Sequence, residues 1–552
     1  MPLPPLRPAL AAAALAVCLA AAPGAARQAY YPDDPIAVDP ETEDASGVRP
    51  WSISDPYDFL ANTFTEPGDR SRRRAVNVNT IDEVPDSSWF TNRALARPLT
   101  AADIARGPDE SDGPATGPWT VVSGKADGIT PGVTVRDTAG VTWFIKFDPP
   151  ANPEMATGAE MIATKLFWAL GYHVPENHLA VIDRARLVVA PDATARDERG
   201  HPVRLTEAAV DRLMRLGARR ADGRYRVIAS RALAGRPLGP FRYHGTRPDD
   251  PNDIFPHEHR RELRGLRASA AWLNHDDSRS INSLDTLVDA GGRALVRHHL
   301  IDFGSTLGSG SVSAQRRRAG NEYLWELKPT LLTMVTLGFW VRPWITVDYP
   351  ELLSVGRFEA AFFEPEAWKP EYPNPAFANA RGDDLFWAAR RIMAIDDDGV
   401  RAAVATAAYS DPQAAAYVAS AIIARRDKVG LAWLTAVNPL VDFSLAADGV
   451  LTFDNAAVRT ARATPASGYA VRWSRVDNAT GAATPAGAPL TVPTPRAALP
   501  AALAGAAFVR AEVGAIHDAH PGWARPVRVT FRRVADGWRL VGLDRLPHED
   551  TE

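Results

Sequence analysis

One stretch near the middle of the chain, residues 263–302, predicts a helix that is followed by a strand. Apolar residues recur on one helix face at Leu263, Leu266, Ala270 and Leu273. This spacing predicts a helix that carries the sequence "NHDDSRSIN" at its C-terminal end. About twenty residues later, the apolar run 294–301 predicts a strand that places the carboxylate of Asp302 at its end. The stretch therefore indicates a mixed fold with acidic groups at the ends of its elements.

The size and composition of the chain are those of a globular protein. Its 552 residues are enough for two to four domains, each with its own core. A composition of 46% hydrophobic and 23% charged residues is ordinary for folded proteins. The net charge of −4 gives no basic surface of the kind that binds nucleic acid, so no nucleic-acid partner is expected.

The first 26 residues have the pattern of a secretory signal. One basic residue, Arg7, precedes an Ala/Leu-rich stretch, and the small residues Gly24 and Ala26 stand before Arg27. An uncleaved membrane anchor is the alternative, but the run is rich in alanine and short for a spanning helix. We therefore expect an exported protein, periplasmic or extracellular.

Cysteine chemistry is excluded from the mature chain that this cleavage would leave. Cys18 is the single cysteine, and it lies within the signal. Without it, the chain can form no disulfide and has no thiolate metal ligand or cysteine nucleophile. Lipid attachment at Cys18 is the lesser alternative, because Val17 is bulkier than the residue that usually precedes a lipoprotein cysteine.

No later segment is apolar for long enough to span a bilayer. The most apolar one, "TLLTMVTLGFWV" at Thr330–Val341, has about twelve residues, which favours a buried helix. We therefore expect no transmembrane segment in the mature chain.

Two residues before the central stretch are candidates for an ion pair. Lys146 stands in the apolar strand pattern "FIKF", where a lysine is costly unless it has anionic partners. On the helix predicted next, "PEMATGAEMIATKLFWALG", Glu160 lies about 90° from the centre of the apolar stripe, whereas Glu154 falls on the far side. Glu160 is thus the better partner for Lys146, although a surface lysine and a solvated glutamate are the alternatives.

The order strand–Lys, helix–Glu, loop Asp…Asn, strand–Asp-Phe-Gly resembles the protein-kinase-like superfamily over residues 118 to about 435. Asp277 and Asn282 are five apart, and "NHDDSRSIN" departs from the His-Arg-Asp form. It is similar instead to the loops of an atypical branch, the HipA-type and phosphatidylinositol kinases. The resemblance implies a two-lobed α+β domain with a β-rich N-lobe at 118–232 and a helical C-lobe at 233–437.

The remaining segments are predicted to flank that domain. Residues 27–117, rich in Pro, Asp and Arg, are expected to form an extended N-terminal arm. Residues 438–552 alternate apolar and polar residues around Asp-Gly turns, which predicts a small all-β domain of sandwich type. Together with the signal at 1–26, this gives five segments.

The resemblance also implies a role for each candidate residue. Lys146 would bind the phosphates of ATP or another nucleotide, and Glu160 would orient it. Asp277 would be the catalytic base, a role that Asp276 could exchange with it. Asn282 and Asp302 would hold Mg²⁺ or Mn²⁺.

Two basic features could contact further anions. Lys125, in "SGKADGITPG", would help to bind phosphate, although this stretch does not match G-x-G-x-x-G and a plain hairpin is equally compatible. The basic run 316–318 stands where an activation segment would be and could bind an anionic substrate, although such runs are usually solvated.

We therefore expect an exported, atypical kinase-like phosphotransferase with an unknown acceptor: a protein, a lipid head group, a sugar or another small molecule. The first alternative is a non-catalytic pseudokinase or binding module. The second is a metal-dependent phosphohydrolase. Its candidate ligands would be His257, His259, His275, Asp276, His298, His299 and Asp302. Adjacent histidines on a strand point to opposite faces, so only one of His298 and His299 could join such a site.

Overall fold

The computed structural model describes residues 28–124, 131–197, 201–310 and 312–546. The helices of this part are α1 (Asp55–Phe64), α2 (Ala101–Arg106), α3 (Met155–Leu170), α4 (Glu207–Met214), α5 (Arg261–Leu273), α6 (Leu327–Val335), α7 (Pro375–Ala378), α8 (Gly382–Met393), α9 (Asp397–Ala405), α10 (Pro412–Leu434) and α11 (Ala456–Arg459). Together with several β-sheets, they confirm the predicted mixed α+β class.

The strands fall into two groups along the chain. Those before the long helices are β1 (Trp119–Gly124), β2 (Gly132–Arg136), β3 (Thr142–Phe147), β4 (Asn177–Ile182), β5 (Leu187–Arg196), β6 (Pro202–Arg204), β7 (Tyr225–Arg231), β8 (Arg236–Gly239), β9 (Ser283–Asp289) and β10 (Ala294–Leu300). Those after them are β11 (Leu440–Leu445), β12 (Val450–Asn455), β13 (Gly468–Val476), β14 (Ala483–Pro485), β15 (Leu490–Val492), β16 (Arg496–Ala498), β17 (Phe508–Ile516), β18 (Val527–Val534) and β19 (Gly537–Asp544).

The first sheet has the strand order β4-β7-β3-β2-β1-β5-β6. Along β3, Trp143, Ile145 and Phe147 are buried in a core that also contains side chains of α4. Because successive side chains of a strand point to opposite faces, Lys146 projects from the other face, where α3 lies. The alternation that predicts this strand thus also sets the direction of its lysine.

Helix α3 is buried along almost its whole length. The carboxylate of Asp148 accepts hydrogen bonds from the backbone N–H and the hydroxyl of Thr157, at 2.8 and 2.7 Å, which satisfies a backbone group that a helix start leaves open. The helix ends at Gly171, whose φ of 121° suits glycine. A Cβ at this position would stand 2.2 Å from Cζ of Phe90, so the glycine also permits the close approach of the N-terminal segment.

Helix α5 packs against α8 and α10 and delivers the central loop. Trp272 is fully buried near its end, and its indole N–H donates to the backbone oxygen of Ile422 in α10 at 2.9 Å. The helix stops at Asn274, which adopts a left-handed conformation. The chain then enters the antiparallel pair β9–β10, which forms a sheet with β8.

Residues 28–117 contain α1 and α2 and contribute to the same core as the long helices. Trp89 and Phe90 are buried there, and Trp89 stacks on the ring of His298 with centroids 3.5 Å apart. The fully buried guanidinium of Arg261 contacts Asp82 in this segment and Asp384 in α8. Buried charges therefore join the segment to the helices.

The last part of the described chain is formed by two sheets, β11-β12-β16 and one that contains β13, β14, β15, β17, β18 and β19. Strand β17 alternates in the expected way. Val509, Ala511 and Val513 are buried, and the residues between them are half-buried. The helix α11 is the short connection between β12 and β13.

The prediction of a buried helix at Thr330–Val341 is wrong. Helix α6 covers the first part of this segment, but none of its residues is buried. Phe339, beyond the helix end, is 90% exposed. Hydrophobicity favours burial but does not supply a partner, and the described residues leave this surface open. Across the same residues, we find no helix with the length and apolar character needed to cross a membrane.

Candidate functional site

Lys146, Glu160 and Asp302 meet at one point between the first sheet and the β9–β10 pair. The Lys146 ammonium donates to Oε2 of Glu160 at 3.0 Å and to Oδ1 of Asp302 at 2.8 Å. Burial alone would lower the pKa of Lys146, but the charges of Asp302 and Glu160 overcome it and raise that pKa. The ammonium is therefore firmly protonated between two carboxylates.

Glu160 also binds the segment that follows Asp302. Its Oε1 accepts a hydrogen bond from the backbone N–H of Phe303 at 3.2 Å, and its side chain is nearly inaccessible to solvent. A Cβ on Gly304 would stand 3.1 Å from Oε2 of Glu160. Glu160 thus positions both the lysine and the turn that carries Asp302.

The register of β9 and β10 brings Asn282 next to that turn. Ser283 is paired with Leu300, so the residues that flank this pair lie side by side at the open end of the hairpin. The backbone N–H of Ile301 donates to the backbone oxygen of Asn282 at 3.0 Å. The spacing of about twenty residues between Asn282 and Asp302 is thus the length of one hairpin.

Asp277 is held in the loop between α5 and β9. Nδ2 of Asn282 donates to the backbone oxygen of Asp277 at 2.7 Å, and the guanidinium of Arg279 contacts the Asp277 carboxylate. Burial raises the pKa of Asp277 to about 7, against the lowering effect of Arg279. A carboxyl group with this pKa can take up a proton near neutral pH, as a general base must.

Asp276 turns toward a different part of the chain. Its Oδ1 accepts a hydrogen bond from the Gln315 amide, and its backbone oxygen accepts one from the N–H of Glu371. Burial, the charge of Asp277 and that of Glu371 raise the pKa of Asp276 to about 8. Of the two acidic neighbours, Asp277 is therefore the one tied to Asn282.

The aromatic packing behind the loop is a feature that sequence reasoning missed. Phe303 stacks on Phe167 of α3 with centroids 4.9 Å apart, and the His275 ring lies 5.6 Å from Phe303. Burial lowers the pKa of His275 to about 4. His275 therefore serves as a neutral packing group that links the loop, the turn and α3.

Arg279 was also missed, and no local pattern points to it. Besides Asp277, it contacts Asp55 of α1 at 3.2 Å and Glu371 at 3.4 Å. Asp55 is separated from it by more than two hundred residues, so only the folded chain reveals the contact. Arg279 joins the loop to the N-terminal segment.

A cavity of about 210 Å³ opens beside the three charged residues. It is lined by Val133, Thr134, Phe144, Ile145, Lys146, Glu160, Pro175, Ser230, Arg231, Leu233, Leu284, Ile301 and Asp302. Apolar side chains form most of this lining, and Lys146, Glu160 and Asp302 contact one another on it. Such a cavity suits a ligand with a flat apolar part and an anionic part.

The remaining candidates are not joined to this cluster. The Nδ1 atom of His298 lies 2.7 Å from Asp285, and that of His299 lies 3.1 Å from the backbone oxygen of Leu284. The other predicted histidines have separate partners, with His257 next to Asp253 and His259 next to Asp69. Lys125 lies outside the described residues, as do residues 1–26.

The fit of a divalent cation can be judged from the oxygen atoms at the hairpin end. Nothing in the described ranges forms a cluster of three or more His, Cys, Asp or Glu side chains that could hold a metal alone. The side chain of Asp302 is 41% exposed, and the Asn282 amide donates from its nitrogen to the backbone oxygen of Asp277, so its oxygen is the atom that could take part in binding a cation. Asp302 and Asn282 therefore fit a cation that takes its other oxygen ligands from phosphates and water.

The chain was compared with protein-family models, with curated proteins and with solved structures, and none of these matches it. Its function is therefore inferred from the residues and geometry of the site.

Proposed function

We propose that the chain is an exported, kinase-like phosphotransferase that uses a Mg²⁺- or Mn²⁺-bound nucleotide such as ATP. The observation that carries this proposal is the contact of the Lys146 ammonium with both Glu160 and Asp302, the latter 156 positions away. A lysine on a strand, a glutamate on the next helix and an aspartate after a hairpin are the parts that hold nucleotide phosphates in this superfamily.

The surrounding architecture supports a two-lobed arrangement. The sheet of β1–β7 lies on one side of the cavity with α3, and α5, α8 and α10 form a helical group that carries the loop. The cavity lining comes mainly from the sheet, from Glu160 of α3 and from the β9–β10 pair with the two residues that follow it. A nucleotide base would contact the apolar side chains of the cavity, with its phosphates toward Lys146.

Each residue has one task in this proposal. Lys146 binds phosphate oxygens, and Glu160 holds the ammonium in place when Asp302 turns to a cation. Asp302 and Asn282 hold that cation, which would neutralise charge on the phosphates. Asp277, with its pKa near 7, accepts the proton of the acceptor hydroxyl, and the amide of Asn282 fixes the backbone next to it.

Binding of the nucleotide is the first test. Full-length protein is titrated with ATP, with and without Mg²⁺, in a calorimeter. We expect Mg-dependent binding that Asp302→Asn removes, because the amide lacks the charge that holds the cation. Asp289→Asn is the matched control, since Asp289 lies at the opposite end of the same hairpin. Equal loss in both variants, or no binding by the wild type, contradicts the proposal.

One observation favours the second candidate, a non-catalytic nucleotide-binding module. The Asp277 carboxylate already contacts Arg279, and an ion pair weakens a base. Transfer of labelled phosphate to protein, lipid, sugar and small-molecule acceptors separates the two candidates. A module that binds Mg-ATP but transfers nothing to any of them, in wild type and Asp277→Asn alike, supports the second.

A further inference from the structure

A continuous apolar surface stands on the outside of the molecule near the central loop. From Tyr323 to Thr346, no residue is buried, although this stretch is among the most apolar of the chain. Val335 is 80% exposed, and Leu337 is 87% exposed. Exposed apolar surface on this scale usually marks a site of interaction.

This apolar surface is broader than the narrow apolar stripe of a helix that binds in a groove. Four apolar residues of α6 lie on one side, and Leu332 widens the apolar arc to about 160° at 100° per residue. They are Leu327, Leu331, Met334 and Val335. Beyond the helix end, Leu337 and Phe339 extend the apolar surface to a tip. A broad face with a projecting tip suits a soft, extended partner better than a narrow cleft.

Helix α1 continues the same surface. The rings of Phe64 and Trp325 lie 5.1 Å apart, and Tyr57, Leu60 and Phe64 are all exposed. We call residues 324–346 together with these three side chains the apolar platform. Its two parts come from positions far apart in sequence, so the exposure is a property of the folded surface.

The unpaired charge of the platform is positive. Between Glu326 and Asp348 the sequence has no acidic residue, and Glu326 is engaged by Lys369 at 2.6 Å. Lys328 lies on the platform and Arg316 precedes it, and neither has an ion-pair partner among the residues that the structure describes. Positive charge beside an apolar face is complementary to anionic lipid head groups.

Aromatic residues complete this pattern. Trp325, Trp340 and Trp344 lie in or beside the platform, each at least partly exposed. Tryptophan is enriched at the boundary between lipid chains and water, because its ring is apolar and its N–H is polar. The platform thus combines an apolar tip, tryptophans and a lysine, which is the combination found in segments that bind at the interface of a bilayer.

We propose that the apolar platform docks the protein onto the surface of a bilayer that contains anionic phospholipid. A second copy of the chain fits less well, since Glu326, the acidic residue of segment 324–346, is already paired with Lys369 and would not be free to pair with Lys328 of the other copy. The segment is also too short to span the bilayer, so it lies in the interface.

Docking would hold the central loop close to the lipid surface. Asp58 of α1 accepts hydrogen bonds from the hydroxyls of Ser280 at 3.2 Å and Tyr372 at 2.7 Å. The helix that contributes Tyr57, Leu60 and Phe64 to the platform is therefore fixed to the loop that carries Asp277. This inference does not depend on phosphoryl transfer, and it holds for a binding module as well.

Vesicle flotation tests the proposal on the full-length chain. The wild type is expected to bind vesicles of phosphatidylcholine with phosphatidylglycerol more tightly than vesicles of phosphatidylcholine alone. Leu337→Asp/Phe339→Asp should weaken this binding by about tenfold or more, because two apolar side chains no longer enter the interface. Lys328→Glu should weaken binding to the anionic vesicles only.

The matched control is Val188→Asp/Val203→Asp, which changes two exposed apolar residues of β5 and β6 that are not part of the platform. It should bind vesicles as the wild type does. Residues 1–26 are the same in the wild type and in each of these flotation variants, so any contribution from that apolar segment is common to the compared proteins. Equal binding by the Leu337/Phe339 variant and the wild type overturns the proposal.

A local probe separates insertion from other causes of loss. The chain has one cysteine, so Cys18→Ser with Phe339→Cys allows a polarity-sensitive label at the tip. Its emission should shift to the blue with anionic vesicles, and a label at Val188→Cys should not shift. Sedimentation velocity completes the test: a dimer that requires Phe339, without vesicle binding, assigns the platform to a second copy and overturns the proposal. ATP titration of the same variants shows whether the nucleotide site is intact.

Discussion

Removing the charge of Lys146 tests the candidate site most directly. Lys146→Met keeps the apolar stem but deletes the ammonium that contacts Glu160 at 3.0 Å and Asp302 at 2.8 Å. Loss of one partner from a buried ion pair costs about 3–5 kcal/mol of stability, since a buried charge is left uncompensated. Because the Asp302 side chain is 41% exposed and water can solvate it, we expect about 3 kcal/mol.

The effect on nucleotide binding should be separate and large. A hydrogen bond to a charged group contributes about 1.5–3 kcal/mol, so the Kd for Mg-ATP should rise about 10- to 150-fold. At a concentration about 100 times its Kd, ATP stabilises the wild type by about 2.7 kcal/mol. After a loss of about 100-fold in affinity, the same concentration gives only about 0.4 kcal/mol. Calorimetric titration and thermal unfolding, each with and without Mg-ATP, measure these quantities.

Lys165→Met is the matched control for this experiment. Lys165 is a second buried lysine, whose ammonium contacts the carboxylate of Asp109 and the backbone oxygen of Arg106, away from the cavity. It should lose stability to a similar degree and keep the stabilisation by Mg-ATP. If both variants keep that stabilisation, or both lose it, Lys146 does not bind the nucleotide and the assignment of the site fails.

Two further substitutions test the loop and the packing around it. The pKa of Asp276 is raised to about 8 from an ordinary value of 3.8, so the folded protein binds this proton more tightly and wild-type stability falls as pH rises through that interval. Above about pH 8, the free energy of unfolding of Asp276→Asn should therefore exceed that of the wild type by up to a few kcal/mol, whereas below about pH 4 the two should be similar. Urea unfolding on both sides of this pH range measures the difference. A difference that does not change with pH contradicts the assigned burial of Asp276. Gly171→Ala places a Cβ 2.2 Å from the Phe90 ring at a φ of 121°, so it should lower the free energy of unfolding by more than about 2 kcal/mol. Gly140→Ala is the control: its φ is 80°, but the space around it is open, so its free energy of unfolding should fall by less.

The position of the Lys146–Glu160 pair could be predicted because both residues obey local periodicity. Alternation along β3 puts Lys146 opposite three buried neighbours, and the 3.6-residue repeat of α3 puts Glu160 at the edge of its apolar stripe. Two elements that are consecutive in sequence and pack together then bring the charges into contact. In the same way, the sequence interval between Asn282 and Asp302 is the length of one hairpin.

The parts that escaped prediction depend on distant partners. The contact of Arg279 with Asp55 joins the loop to a helix more than two hundred residues earlier, and no periodicity encodes it. The exposure of Phe339 was missed for a related reason. Hydrophobicity measures the gain from burial, but whether another element is there to bury a side chain is decided by the whole fold. Local sequence patterns therefore predict secondary-structure elements and the direction of their side chains. They do not predict contacts between segments that are far apart in sequence.

The N-terminal segment 28–117 makes such remote contacts and packs on the long helices as part of the folded unit. The sequence predicts an extended arm here, and in the structure Glu83 contacts the buried Arg391 at 2.9 Å and Asp82 contacts the buried Arg261 at 2.8 Å. Deleting the segment would remove Glu83 from the buried Arg391, and breaking a buried ion pair in this way costs about 3–5 kcal/mol, whereas Arg261 would keep Asp383 and Asp384. That loss, together with the loss of the buried Trp89 and Phe90 side chains, is a large part of the stability of a typical domain, which is about 5–15 kcal/mol.

We therefore expect a chain that begins at residue 118 to fail to fold cooperatively, even though the cavity lining, including Lys146, Glu160 and Asp302, lies within it. Circular dichroism and urea unfolding of the truncated and full-length chains measure this. Glu83→Gln in the full chain isolates one of the lost charges and should cost less than the deletion, because Asn92 still accepts a hydrogen bond from Arg391 at 2.8 Å. A truncated chain that unfolds cooperatively and binds Mg-ATP like the full chain would show that the segment is a dispensable arm, and that its buried ion pairs contribute little to the site.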